Sequence, residues 1–195
     1  MQLARSMALA LAVGLAAPLG AHAQARPIEI GLDAALAYDD ADGASVTSLT
    51  IPVGRLRVGF FVSDAVSLEP FFALQYTRAE VDVPVVGDRT TSFTQYDLGL
   101  GLLFHFATDR TRSQPYLRPF VGVRGFSSDS DDDANDDDDS GTQPVLGAAF
   151  GLKLPSTSRL GTRLEAGFAH RFEDEPSFRE SNQIFLSFGL SFFTR

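Results

Sequence analysis

Residues Gln95–Phe106 read "QYDLGLGLLFHF". Tyr96, Leu98, Leu100, Leu102, Phe104 and Phe106 fall on one face of an extended chain, and Gln95, Asp97, Gly99, Gly101, Leu103 and His105 on the other. An apolar/polar repeat of two specifies a β-strand between two different surroundings. The fold turns on which face is inside: an oily interior makes a soluble sandwich or barrel, a polar interior a membrane barrel.

The repeat recurs along the chain. It predicts eight strands at roughly 28–38, 47–62, 66–77, 93–106, 115–126, 144–154, 160–172 and 182–193. The second changes phase at Gly54-Arg55, from Leu49, Ile51 and Val53 to Leu56, Val58, Phe60 and Val62, as a β-bulge would require. No stretch after residue 23 has a helical apolar period. The connections alternate: 78–92 and 127–143 are long, 63–65, 107–114 and 155–159 are shorter, and the first and last, 39–46 and 173–180, are middling at about the length of 107–114. That rhythm matches an up-and-down membrane barrel with short periplasmic turns and longer outer loops.

Residue size on the polar face decides the orientation. Gly31, Ala35, Gly99, Gly101, Gly122, Gly147, Ala149, Gly151, Gly161, Gly167, Ala169 and Gly189 lie there. Glycine weakens a water-exposed strand but makes room in the narrow lumen of an eight-stranded barrel. The same face carries Glu29, Asp33, Glu69, Asp97 and Glu165 against Arg57, Arg118, Arg124, Lys153, Arg163 and Arg171. Such a near-neutral set is what a packed lumen demands, because an unpaired buried charge is costly. On the apolar face, Tyr38, Tyr76, Tyr96 and Phe172 would form one aromatic belt and Phe60, Phe104, Phe106 and Phe192 the other. Asp97 therefore points into the lumen and Leu98 at lipid. The expected fold is all-β, an eight-stranded antiparallel up-and-down transmembrane β-barrel.

Residues 1–23 read as a cleaved secretory signal. Arg5 is basic, Met7–Leu19 is apolar, and Ala21-His22-Ala23 is a small-x-small cleavage site. Thirteen apolar residues are too short for a membrane-spanning helix. The barrel domain is then 24–195. The chain has no cysteine, which excludes disulfides and thiolate metal sites. Its net charge is −9, and eight aspartates without a base sit in Ser127–Gly141, "SSDSDDDANDDDDSG". The remainder is close to neutral, so no nucleic-acid surface is expected. Asp129, Asp131 and Asp133 have the spacing that opens an EF-hand loop, but Ala134 and Ser140 stand where glycine and glutamate are needed. The expectation is a solvated acidic loop, 127–143, with at most weak divalent-cation binding and no defined metal site. No cofactor motif is present: "GLGLLF" is mid-strand with no helix after it.

The signal segment, the eight strands and the closing "IFLSFGLSFF" (Ile184–Phe193) together resemble the OmpX/OmpA type of small outer-membrane β-barrel. The resemblance implies that outward Ile184, Leu186, Phe188, Leu190 and Phe192 form the strand read by the barrel-assembly machinery, although Phe193-Thr194-Arg195 departs from the usual aromatic end. It implies lipid and lipopolysaccharide as surroundings, a Gram-negative outer membrane as location, and a monomer. Members include adhesins, anchors, small pores and lipid A-modifying enzymes, so membership selects no function. His170 lies where a lipid A deacylase of this type carries its histidine, but the chain continues "HRFEDE", without the family's serine. His105 reads as a structural lumen residue. No enzyme is expected. The balanced lumen favours a closed, ion-paired barrel acting through loops 78–92 and 127–143. A narrow pore or transporter is the alternative and a lipid A-modifying enzyme the third reading.

Overall fold

A computed structural model describes residues 27–41, 44–83, 87–109, 111–130, 139–173 and 180–194. Eight strands follow in order: β1 (Ile28–Ala41), β2 (Ala44–Phe61), β3 (Val66–Val83), β4 (Gly87–His105), β5 (Gln114–Ser130), β6 (Asp139–Pro155), β7 (Leu160–Arg171) and β8 (Ser181–Phe193). Each pairs antiparallel with the next, and β8 returns to β1 from Glu29↔Phe193 to Ala41↔Ser181, closing the barrel. Both described ends meet at one rim, where the Thr194 amide donates to the Ile28 carbonyl and the Ile28 amide to Thr194 Oγ1, each at 2.9 Å. The turns on that rim are 62–65, 106–113 and 156–159. They are organised by side chains: Thr157 Oγ1 accepts the Leu160 amide at 3.0 Å, and Asp109 Oδ1 accepts the Thr111 amide at 2.9 Å and its hydroxyl at 2.6 Å. Those bonds hold the Asp109 carboxyl below the ordinary carboxylate range. Connection length does not separate the rims, because β1 and β2 are joined across two residues and β3 and β4 across three on the opposite side. The strands run on past the apolar band at that opposite side, which makes this the periplasmic rim.

Burial is inverted relative to a soluble protein. Leu74 is 59% and Phe106 65% exposed, whereas Arg118 is 0% and Arg57 1% exposed. The period-two pattern of the sequence holds, and the polar face is the interior. Leu49 and Leu56, either side of the phase change, stand opposite Leu36 and Leu32 of β1. Between these pairs β1 advances from Asp33 to Ala35 while β2 passes from Arg55 to Thr50, so β2 absorbs the extra residues that switch its phase.

The strands exceed the expected bounds on the outer side. β3 continues to Val83 and β4 begins at Gly87, so most of 78–92 is paired strand, and β5 and β6 extend to Ser130 and from Asp139. Side-chain alternation stops near Tyr76 and Phe126 because no hydrocarbon faces the chain beyond. Backbone pairing has no such requirement and continues. Tyr76 and Tyr96 therefore sit within strands, not at their ends. The signal segment 1–23 and residues 131–138 of the acidic segment lie outside the described residues.

One seam is short. The β2–β3 ladder pairs Leu56↔Phe72, Arg57↔Phe71, Phe60↔Leu68 and Phe61↔Ser67, interrupted at Pro70, which has no amide hydrogen to donate. The β3–β4 ladder, by contrast, is continuous from Val66↔Phe104 to Val83↔Gly87. A closed barrel of this kind should resist SDS in the cold and unfold on boiling, giving two mobilities on a gel. One mobility under both conditions, from protein soluble without detergent, would contradict the fold.

Candidate functional site in the barrel lumen

All eleven ionisable residues singled out on the polar face project inward. Glu29, Asp33, Arg57, Glu69, Arg118, Lys153, Arg163, Glu165 and Arg171 are buried, and Asp97 and Arg124 are half-buried near the outer mouth. At the periplasmic end, Glu29 accepts from Lys153 and, at 2.6 Å, from Ser191 Oγ. At mid-depth Arg163 grips Glu69 with both terminal nitrogens (2.6 and 3.1 Å), reaches Glu165 at 2.7 Å and donates from Nε to the Tyr116 hydroxyl. Tyr116 in turn donates to Glu165 at 2.8 Å. Arg118 also holds Glu165 through two nitrogens. Arg57 bridges Asp33 and Glu69. Three carboxylates of three strands (Asp33, Glu69 and Glu165) are thus tied to three guanidiniums. Charge-assisted bonds of this kind are the strong ones.

Above this cluster lies a layer the sequence reading missed. Phe71 and Phe120 meet edge to face at 6.0 Å, and Phe120 and Phe185 at 6.1 Å. Arg118 lies over the Phe120 ring at 4.6 Å, and Arg163 over Tyr116 at the same distance. Four inward rings face a glycine across a strand pair: Phe71 opposite Gly99, Tyr116 opposite Gly151, Phe120 opposite Gly147 and Phe185 opposite Gly167. A side chain at Gly99 would drive into the Phe71 ring and stand 2.6 Å from the Val121 carbonyl. The glycines of the polar face are sockets for specific rings, more than general thinning of the wall. Aromatic residues at polar-face positions, with a glycine on the next strand, are the signal that could have found them.

Nearer the outer mouth, Asp97 holds Arg124 in two bonds (2.6 and 3.0 Å). Arg171 pairs with Asp39, which also accepts Gln183 Nε2 at 3.0 Å. Asp39 lies one residue beyond Tyr38, where the contrast between faces ends the expected first strand. Arg55 lies at the phase change, which hides its inward direction. Its guanidinium lies over Phe71 at 4.7 Å.

The two histidines are apart. His105 is buried, stacked on Phe61 at 5.6 Å near Tyr116. His170 is on the outer wall, with Nδ1 3.0 Å from Asn182 Oδ1, Phe172 at 4.6 Å and Glu180 at 3.6 Å. Ile184, Leu186, Phe188, Leu190 and Phe192 all face outward. Asp129 is backbone-paired with Ser92, and Asp131 and Asp133 lie outside the described residues.

The sequence matches the family described as outer membrane protein beta-barrel domain over residues 7–192. Among solved structures, the chain is similar to Neisserial surface protein A, with 18% identity over 85% of this chain and 96% of that one, at a TM-score of 0.59. It is similar to Ail of Yersinia pestis, there in complex with the heparin analogue sucrose octasulfate, with 14% identity over 86% and 98%, at 0.56. A major outer membrane protein of Thermus thermophilus shares 12% identity over 86% and 99%, at 0.51. No curated protein matches the sequence significantly. At these identities the structures speak for the fold alone.

Three substitutions probe the packing. Arg163→Ala leaves the three buried carboxylates Asp33, Glu69 and Glu165 with only Arg57 and Arg118 as bonded guanidiniums and should lower unfolding free energy by about 3–5 kcal/mol, whereas Arg112→Ala, at the exposed Asp109 pair, should leave it unchanged. Gly99→Val should prevent recovery of the heat-modifiable form. Urea titration of protein folded into lipid vesicles reads the first two, and gel mobility before and after boiling reads the third.

Proposed function

The chain belongs to the outer membrane protein beta-barrel domain family, and on that premise we propose that it is a non-enzymatic surface protein whose closed, ion-paired lumen serves as a rigid scaffold for its outer connections. The barrel sits in the outer membrane of a Gram-negative bacterium, its apolar wall in contact with lipid. The observation that carries the reading is the linked set Arg57, Arg118 and Arg163 with Asp33, Glu69 and Glu165. It crosses the lumen between an outer cavity and a periplasmic one of about 250 Å³ each. A solute would have to break several buried ion pairs to pass. Large, balanced, mutually bonded charges favour a plug over a selectivity ring.

The same reading assigns the remaining parts. Residues 1–23 direct export and are removed. Ile184, Leu186, Phe188, Leu190 and Phe192 present the outward apolar strand to the assembly machinery. The outer rim meets lipopolysaccharide, with weak divalent-cation binding at the eight aspartates of Ser127–Gly141, and the barrel is a monomer. Among the described residues His170 has Asn182 at 3.0 Å and the Glu180 carboxylate at 3.6 Å but no serine hydroxyl bonded to it as a nucleophile, which supports a role other than lipid A hydrolysis.

Two measurements test the proposal. In a planar bilayer the purified barrel should show no steady conductance. Reproducible ohmic channels altered by Asp97→Ala or Arg163→Ala would replace the scaffold with a narrow pore. Replacing 131–138 by a short Gly-Ser linker should leave barrel stability unchanged while altering surface adhesion of cells that display it. If that replacement abolishes folding, the acidic segment is structural.

A further inference from the structure

We propose that Arg55 anchors a binding site for a small organic monoanion, a carboxylate with a planar apolar body, in the outer half of the lumen. The reasoning starts from pairing. Among the described residues, every other inward cation has a carboxylate of its own: Lys153 has Glu29, Arg124 has Asp97, Arg171 has Asp39, and the mid-depth guanidiniums share Asp33, Glu69 and Glu165. Arg55 alone has no ion pair. Asp33 stands opposite it in the register but is bonded to Arg57. The Arg55 guanidinium rests on the Phe71 ring, which supports one face and leaves its edge donors without acceptors.

Those donors border the outer cavity of about 250 Å³, whose lining includes Arg55, Gln75, Gln95, Gln183 and Phe185. A carboxylate matches the planar fork of a guanidinium, and the glutamine amides supply further donors. Three acids also line the cavity, Asp33, Asp39 and Asp97, each already neutralised by a partner, so an entering anion meets one uncompensated charge and it is positive. The apolar body has a place as well. Phe185 forms part of the wall, and Phe93 and Phe126 stack at 5.9 Å beside Gln95 and Arg124 in an adjoining space of about 230 Å³. A concave, partly apolar cavity with a few convergent polar groups is the usual form of a small-molecule site.

The inference rests on the blocked lumen below the cavity, and the two fail separately: conductance reports the block, equilibrium binding reports the site. The experiment is equilibrium dialysis of radiolabelled benzoate against the full barrel in lipid nanodiscs, with empty nanodiscs as blank. Saturable binding with one site per barrel is expected at a Kd on the order of 1 mM or tighter, weaker for acetate and absent for neutral benzamide. Arg55→Gln should weaken benzoate binding by roughly tenfold or more, Arg55→Lys should retain part of it, and Arg159→Gln, on the opposite rim, should change nothing. Because Arg55 is the surplus charge, Arg55→Gln should keep the heat-modifiable form and raise the urea midpoint, opposite in sign to Arg57→Gln. Benzoate binding equal in Arg55→Gln and the parent, no saturable binding above the blank, or a lowered urea midpoint for Arg55→Gln would overturn the assignment.

Discussion

In hydrocarbon each backbone N–H and C=O has to find its partner within the protein, and the pairing of β1 with β8 is what meets that demand, since it removes the last free edge of the sheet. Closure at eight strands then dictates the rest. Eight strands enclose an interior about wide enough for side chains to fill. The outer wall must be apolar over its lipid-facing band, so filling falls to whatever the inner positions carry. Long cations laid against carboxylates and rings satisfy both shape and charge.

The interior works because large groups oppose absent ones. Phe71, Tyr116, Phe120 and Phe185 each face a glycine on the neighbouring strand, which lets a ring lie flat on the wall and present its other face to the centre. Arg118 and Arg163 use those faces. Aromatic packing and ion pairing are thus parts of one structure: the rings set the height at which the guanidiniums lie, and that height brings Glu69 and Glu165 within bonding distance of more than one cation.

The sequence revealed the wall better than the filling. Leu98, Leu100 and Leu102 must face lipid whatever their neighbours are, so alternation identifies them from a single strand. The inward direction of Glu69 or Arg163 follows from the same parity. The ring sockets could not be read that way, because Gly99 lies opposite Phe71 only through the register of two strands, which one strand's pattern does not contain. The strand ends past Tyr76 and Phe126 were missed for a related reason: backbone pairing continues after the contrast between faces has gone. Asp39 and Arg55 sit at such unreadable places, the first beyond an expected strand end and the second at the phase change of β2.

That phase change is also where the barrel is least regular. β2 shifts register against β1 between Arg55 and Thr50, and its described ladder with β3 reaches no further outward than Leu56↔Phe72. Irregular strands re-aim side chains and gather beside functional sites. Here the irregularity turns Arg55 inward beside Asp33 without supplying it a carboxylate. A cation without an ion pair, where the other described lumen cations are all paired, is a standing energetic penalty, and it lies where the cavity is open and polar, not in the packed middle. Scaffolding alone would be served as well by a neutral residue at that position. A carboxylate bound beside that guanidinium would supply the partner the described lumen residues do not.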